Sequence, residues 1–235
     1  MVQPIIIEGN SPFPSPERAL SEPNGLLAIG GSLSPDRLIS AYSNGIFPWF
    51  SDHQPILWWS PDPRIGLALE KHAISKSMLK FIKKTSLTVT LNHSFEQVIR
   101  HCAELRVDET WITQDMISAY LRLHHLGHAH SVEVWQEQKL VGGLYGVAAG
   151  SVFCGESMFH TVSNASKLAF HVFCRHFKHW GGDYIDGQVE NPHLLSLGMQ
   201  SLPRARFLRL LKDSQEKQID KVCWQQQGLD LCAYL

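Results

Sequence analysis

The sequence has 235 residues, of which 44% are apolar and 18% charged, and its formal net charge is −1. This composition is typical of a soluble globular protein with a sizeable core, and the balanced charge excludes nucleic-acid binding through a global cationic field. Five cysteines without regular spacing, no stretch near the roughly 20 apolar residues of a membrane span and no basic N-terminal segment predict a cytoplasmic protein without disulfide framework, signal peptide or membrane contact.

Proline placement divides the chain into two parts. Ten of the 12 prolines lie within the first 63 residues. Since proline fixes φ and lacks an N–H donor, this part should be rich in loops and short elements. One helix is predicted there, with Ser34 as its cap, Pro35 at its first position and Gly45 as its stop. We therefore expect a small N-terminal domain over residues 1–64 and a larger α/β domain over residues 65–235.

Helices and strands alternate in the second part. In chain order, hydrophobic periodicity predicts a helix, a strand, two helices, a strand, a hairpin, a helix, a strand and a closing helix. They fall in the segments ISKSMLKFIKK, SLTVTLN, SFEQVIRHCAEL, TQDMISAYLRLHHLG, HSVEVWQ, LVGGLYGVAA with SVFCGESMF, SNASKLAFHVFCRHFKHWGG, GDYIDGQV and RARFLRLLKD. This order predicts an α/β (α+β) sandwich with a mixed, largely antiparallel sheet.

A lone carboxylate in the apolar second strand of the hairpin marks a candidate site. Glu156 lies in FCGESMF, and a carboxylate among apolar groups costs several kcal/mol unless it is paired or used. Alternation places Glu156 on the same strand face as Cys154 and Met158, and it places Asp186 and Gln188 together on a face of the next strand. If the two strands are neighbours, three polar groups converge on a pocket with apolar walls.

Periodicity alone leaves a second interpretation open. Glu156 could be salt-bridged to a lysine such as Lys167, while Asp186 and Gln188 simply lie at a strand end. The spacing of the residues does not decide between these alternatives.

Many motifs occur together in order over about residues 12 to 211. They are FPSPERAL, PNGLLAIGGSLSPDRLISAYSNGIFPWF, PILWWSPDPR, TWIT, AYLRLHHLGHAHSVEVW, GGLYGVAAG, FCGESMF, NASK, IDGQV and SLG. On these motifs the sequence resembles the leucyl/phenylalanyl-tRNA–protein transferases. The resemblance implies a small N-terminal domain followed by a GNAT-like acyltransferase domain. It also implies an aminoacyltransferase that moves Leu, Phe or Met from aminoacyl-tRNA to the N-terminal Arg or Lys of a protein.

The same resemblance implies a fate for the product and roles for the polar residues. The acceptor protein enters the N-degron (N-end rule) route, no cofactor is needed, and we expect a monomer. Asp186 polarises Gln188, which orients the incoming amine and helps to draw off its proton, and Glu156 holds the cationic acceptor end or the amine itself. The aminoacyl side chain would contact Leu144, Phe153, Met158, Phe170, Phe173 and Ile185. Taken singly, each of these apolar residues could equally belong to the core.

Three positions depart from the family pattern, which has Ser after MF, Cys between the Asp and the Gln, and Ala after SLG. Here they are His160, Gly187 and Met199. None of the three removes a proposed catalytic group, but His160 and Met199 are placed to alter the rim of the pocket.

Aromatic and basic residues suggest how tRNA would be held. Trp49 and Trp111 are candidates to stack on the terminal adenosine, whereas Trp58 and Trp59 favour packing at the domain junction. A cationic surface is predicted on the helix ISKSMLKFIKK, where the spacing i, i+4, i+7 and i+8 places on one face Lys76, Lys80, Lys83 and Lys84. The alternative is an ordinary solvated helix face.

Three other functions are weighed against this one. A zinc site at His124 and His128 is not expected, because Gly127 intervenes and no Glu follows the first histidine. An acyl-CoA-dependent acetyltransferase would hold pyrophosphate on a glycine-rich loop, and the corresponding segment MFHTVSNASK contains no glycine. A non-catalytic tRNA-binding module remains a third interpretation.

Overall fold

The computed structural model describes residues 3–9, 11–105 and 111–231. Its N-terminal part contains β1 (Ile5–Ile7), β2 (Leu26–Gly30), α1 (Pro35–Ser43), β3 (Phe47–Pro48) and β4 (Leu57–Trp59). Within the described residues these strands form a sheet of order β1-β2-β4-β3. The predicted helix is confirmed: α1 has Pro35 at its start, and Gly45 follows it with a φ of +71°, which glycine adopts readily.

The second part contributes the remaining helices and strands. They are β5 (Arg64–Ala68), α2 (Lys76–Ile82), β6 (Thr88–Leu91), α3 (Phe95–Glu104), α4 (Gln114–His125), β7 (Ala129–Gln136), β8 (Lys139–Ala149), β9 (Val152–His160), α5 (Ala165–His179), β10 (Tyr184–Gln188), α6 (Pro192–Ser196), β11 (Gln200–Leu202), α7 (Arg204–Ser214) and β12 (Gln227–Leu229). Single 3₁₀ turns occupy residues 16–18, 69–71 and 221–224. Each predicted helix and strand of this part is therefore confirmed.

A large mixed sheet organises this part of the chain. Its order, over the residues that the structure describes, is β11-β5-β10-β9-β8-β7-β6-β12. β9 and β10 pair in parallel, and each of the other pairings is antiparallel. The sheet is thus mixed and largely antiparallel, as predicted. The sequence did not predict β5, α6, β11 or β12, because elements of three to five residues are too short for a hydrophobic period to show.

The sheet separates two apolar layers. On one face it packs against α1, α3, α4 and α7, and this layer also includes buried side chains of the N-terminal part, such as Leu27 and Trp58. On the other face it packs against α2 and α5, with the chain after α7. The indole N–H of Trp58 donates to the carbonyl of Gly30 at 2.8 Å, so Trp58 joins the core that both parts share.

The helices are short compared with a bilayer. The longest, α5, has 15 residues, and no helix in the described ranges combines the length and the apolar character that crossing a membrane would require.

Candidate active site

A cavity of about 470 Å³ opens beside β9 and β10 where both strands are irregular. On β9, Gly155 and Ser157 pair with consecutive residues of β8, so Glu156 is an extra residue in the ladder. On β10, Asp186 and Gln188 pair with consecutive residues of β5, so Gly187 is extra there. Such bulges re-aim side chains and are common beside active sites.

The bulge at Glu156 overturns part of the predicted alternation. Cys154 and Met158 were expected on one face of β9, with Phe153 on the other. Instead Cys154 belongs to the first apolar layer, while Phe153 and Met158 pack together in the second. One inserted residue moves every later side chain of the strand to the opposite face of the sheet. Met158 thereby comes to line the cavity on the same side as Phe153.

Glu156 is the centre of a buried hydrogen-bond chain. Its Oε2 accepts from the Tyr120 hydroxyl at 2.9 Å, and its Oε1 accepts from the Gln188 Nε2 at 2.6 Å. The Tyr42 hydroxyl continues the chain by bonding to the Tyr120 hydroxyl. The alternative pairing is wrong: among the described side chains, Glu156 makes no salt bridge to Lys167, and donors from α4 and β10 bond to it instead.

Burial perturbs the acid–base behaviour of this chain. Glu156 is 8% exposed, and burial raises its pKa from the ordinary 4.5 to about 7, although the nearby Tyr42 hydroxyl and the hydrogen bonds from Tyr120 and Gln188 act in the opposite direction. Burial, with the nearby charge of Glu156, also raises the pKa of Tyr42 and of Tyr120 well above its ordinary value. The two hydroxyls therefore stay protonated and can donate, while the carboxyl group titrates near neutral pH.

Asp186 has a different partner, which the sequence analysis missed. Arg64 binds it bidentately, with Nε 2.8 Å from Oδ1 and Nη2 2.7 Å from Oδ2. The two side chains are 1% and 0% exposed. The guanidinium also lies between the rings of Phe47 and Phe207, 4.8 Å and 4.7 Å from their centroids. A signal existed, because Arg64 opens the otherwise apolar strand RIGLA.

The contact between Asp186 and Gln188 differs from the one implied by the family resemblance. Asp186 Oδ1 accepts from the backbone N–H of Gln188 at 3.0 Å, whereas the Gln188 side-chain amide is held by Glu156. Gln188 has a φ of +65°, a conformation that an L-residue adopts only when its surroundings impose it. Asp186 thus fixes the backbone, and Glu156 fixes the amide.

The six predicted wall residues all line the cavity. They come from β8, β9, α5 and β10, and they are Leu144, Phe153, Met158, Phe170, Phe173 and Ile185. Phe153 and Phe173 are in ring contact, with centroids 4.5 Å apart. This half of the cavity has the shape and apolar character of a receptor for an aliphatic or aromatic side chain.

The two predicted adenosine-stacking residues lie on the same cavity. Trp49 is 42% exposed, and its backbone carbonyl accepts the indole N–H of Trp59 at 2.6 Å. The Trp49 and Trp59 ring centroids are 5.8 Å apart, so Trp59 supports Trp49 from behind. Trp111 is half-buried and lines the cavity as well.

The predicted cationic residues lie apart from the cavity. Lys76 and Lys80 are exposed on α2, whose Met78 and Ile82 are buried in the second apolar layer. The helix ends at Ile82, so the exposed Lys83 forms its C-cap and the exposed Lys84 follows in a turn. Lys83 keeps a helical conformation, with φ −70° and ψ −17°, which continues the lysine row.

His124 of the HHLGHAH segment has structural partners. His124 Nδ1 bonds to the carbonyl of Ala129 at 2.8 Å, and its ring stacks on Phe95 at 4.4 Å. Across the described part of the chain, no group of three or more His, Cys, Asp or Glu side chains is arranged to hold a metal ion.

Comparisons with known proteins give a consistent result. The family model for the leucyl/phenylalanyl-tRNA protein transferase matches residues 67–212, and the model for the N-terminal domain of that protein matches residues 31–62. A leucyl/phenylalanyl-tRNA–protein transferase of Edwardsiella ictaluri is 57% identical over 93% of this chain and 90% of its own length. One of Yersinia enterocolitica is 57% identical over 93% and 92%, and one of Klebsiella pneumoniae is 59% identical over 85% of each chain.

Proposed function

The chain belongs to the leucyl/phenylalanyl-tRNA protein transferase family, and from that premise we propose that its cavity is where the transfer takes place. The chain is an aminoacyltransferase that moves Leu or Phe from aminoacyl-tRNA to the N-terminus of a protein. The observation that carries the location is the buried Glu156–Gln188 pair, which opens on an apolar cavity.

Several finer properties form part of the proposal. Met is also a donor, the acceptor begins with Arg or Lys, and the product enters the N-degron route. The chain works as a monomer in the cytoplasm without a cofactor, and its domain from residue 65 onward is GNAT-like. Family membership supports these statements.

The proposed reaction requires the enzyme to position the two reactants more than to activate them. An aminoacyl ester is already reactive, so the enzyme must hold a neutral α-amine against the ester carbonyl. Gln188 donates through Nε2 to Glu156. The Oε1 atom of Gln188 is therefore left to accept a hydrogen bond from the amine. The amine attacks, the peptide bond forms, the bond to the terminal ribose oxygen breaks, and the surplus amine proton leaves with that oxygen. No serine or cysteine nucleophile is required.

The surrounding residues hold the reactants and the amide. The six wall residues receive the aminoacyl side chain, and Trp49 and Trp111 stack on the terminal adenosine, where stacking contributes about 1–3 kcal/mol per base. Asp186 and Arg64 position the backbone of Gln188. Glu156, in its ionised form, accepts a hydrogen bond from the Gln188 amide nitrogen. This bond keeps the carbonyl oxygen of Gln188 turned toward the amine.

The function is tested by a transfer assay. Labelled leucyl-tRNA is incubated with the chain and with peptides that begin with Arg or with Gly, and with the Arg peptide acetylated at its N-terminus. We expect label only on the free Arg peptide, because the reaction uses a free α-amine next to a cationic side chain. Absence of label on both free peptides contradicts the proposed function.

The lysines at the end of α2 give a separate prediction about the tRNA body. No acidic residue lies between Lys71 and Glu96 in the sequence, and Lys83 and Lys84 are both exposed. Replacing these two by alanine should weaken binding of acylated and free tRNA alike. It should reduce the slope of log K against log salt by about 1.5 if both lysines contact phosphates.

The control for this prediction uses two other exposed lysines. Lys139→Ala/Lys212→Ala removes the same charge from β8 and α7 and should leave the slope unchanged. An unchanged slope in Lys83→Ala/Lys84→Ala would return this surface to an ordinary solvated helix end.

A further inference from the structure

The apolar half of the cavity contains a close contact between a glycine and a methionine. A Cβ atom built on Gly187 would lie 2.7 Å from the Sδ of Met199 and 2.9 Å from the Cδ1 of Leu194. Real Cβ atoms essentially never approach other heavy atoms within 3.0 Å, so Met199 occupies the space that a side chain at position 187 would need. Gly187 is not among the described residues with positive φ. A side chain at position 187 would therefore meet no backbone strain but would have to displace the flexible ends of Met199 and Leu194.

Met199 is held in this position by its own segment. It lies between α6 and β11, directly after Gly198, whose φ is +87°. Its N–H donates to the carbonyl of Leu194 at 3.2 Å, and its side chain is 4% exposed within the second apolar layer. Methionine fills irregular space well, and here the surrounding packing leaves the cavity as the open side.

We propose that Met199, packed against the bare Cα of Gly187, sets the depth of the apolar half of the cavity and thereby the relative transfer of phenylalanyl and leucyl groups. The inference rests on the proposed function of this cavity, which both residues line together with Ile185 and Phe173. Leucyl and phenylalanyl esters share the reacting atoms and differ only in side-chain bulk. The atoms at the end of the apolar half are therefore what can distinguish them, and one methylene in such a pocket changes discrimination by about 10- to 200-fold.

Three variants test the inference through the ratio of kcat/KM for phenylalanyl-tRNA to that for leucyl-tRNA. Met199→Ala should raise the ratio about tenfold or more, because the cavity deepens. Gly187→Ala should lower the ratio, because the added methyl pushes the Met199 side chain toward the cavity. The double variant should return the ratio toward the wild-type value, because the methyl at position 187 occupies the space that the methionine leaves.

A matched control separates specificity from core packing. Met78→Ala removes another buried methionine of the same apolar layer, on α2 and away from the cavity, and should lower the melting temperature without changing the ratio. If Met199→Ala likewise lowers the melting temperature and leaves the ratio unchanged, Met199 is core filling and the inference is overturned. If Gly187→Ala does not fold, Met199→Ala alone decides.

The failure of this inference is distinguishable from failure of the proposed function. A wild-type chain that transfers neither aminoacyl group to an Arg peptide contradicts the function itself. A wild-type chain that transfers both, with a ratio insensitive to Met199→Ala, contradicts only the role of Met199.

Discussion

Replacing Gln188 by alanine should lower the rate of aminoacyl transfer by about two to three orders of magnitude, while the affinity for leucyl-tRNA changes by less than about threefold. The Gln188 amide donates to Glu156 at 2.6 Å, and the lysines proposed to bind tRNA lie apart from it, on and just after α2. Its loss removes the group that orients the amine and leaves the apolar walls and the tryptophans in place. Single-turnover rates at saturating enzyme, together with equilibrium binding of leucyl-tRNA, measure the two effects separately.

Gln136→Ala is the matched control for this prediction. Gln136 is an exposed glutamine at the end of β7, and its replacement should change neither quantity. If Gln188→Ala instead raises the dissociation constant for leucyl-tRNA by as much as it lowers the rate, Gln188 acts in tRNA binding. That outcome would also favour the interpretation of the chain as a tRNA-binding module.

Asp186→Ala should destabilise the fold by about 3–5 kcal/mol, because it leaves the buried Arg64 guanidinium without its counter-charge. The pair is bidentate and almost fully buried. Removing both charges with Asp186→Ala/Arg64→Met should cost less than removing one, since no uncompensated charge then remains inside. Urea unfolding followed by intrinsic tryptophan fluorescence measures these free energies.

An exposed ion pair provides the comparison for Asp186. Glu96 pairs with Arg100 one turn along α3, and their side chains are 55% and 42% exposed. Glu96→Ala should therefore change the free energy of unfolding by no more than about 1 kcal/mol. A similarly small effect for Asp186→Ala would contradict the structural role given to the Arg64–Asp186 pair.

Long periodic segments were predictable from the sequence, and short or irregular ones were not. α4 and α5 and the β8–β9 hairpin carry enough turns or alternations for their type to be evident. β11 and β12 have three residues each, and their positions depend on pairing with strands far away in the sequence.

The main residues of the candidate site were predictable from the sequence, but their hydrogen-bond and ion-pair partners were not. Glu156 was noticeable because a lone carboxylate in an apolar strand requires a partner. Its actual partners could not be predicted, because the bulge at Glu156 changes the direction of the side chain. In addition, Tyr120 lies on the buried face of α4, where the sequence does not distinguish it from a core aromatic residue. Arg64 is 122 residues from Asp186, and periodicity carries no information on a pairing over that distance.

The central claim is that ionised Glu156 holds the Gln188 amide for a neutral acceptor amine. The pKa of Glu156 is raised to about 7, and the α-amine of a peptide has a pKa of about 7.7–8.0. Below its pKa, the protonated carboxyl would donate to the Gln188 carbonyl oxygen and take it away from the amine. Both groups must therefore lose a proton before attack, and Glu156→Gln keeps the shape of the side chain while removing one of the two titrations.

The most direct test is the pH dependence of kcat/KM for an Arg peptide at saturating leucyl-tRNA. Below about pH 6.5, the logarithm of kcat/KM should rise with pH with a slope near 2 for the wild-type chain and near 1 for Glu156→Gln. Slopes that are equal in the two proteins would contradict the role assigned to Glu156 and the mechanism built on it.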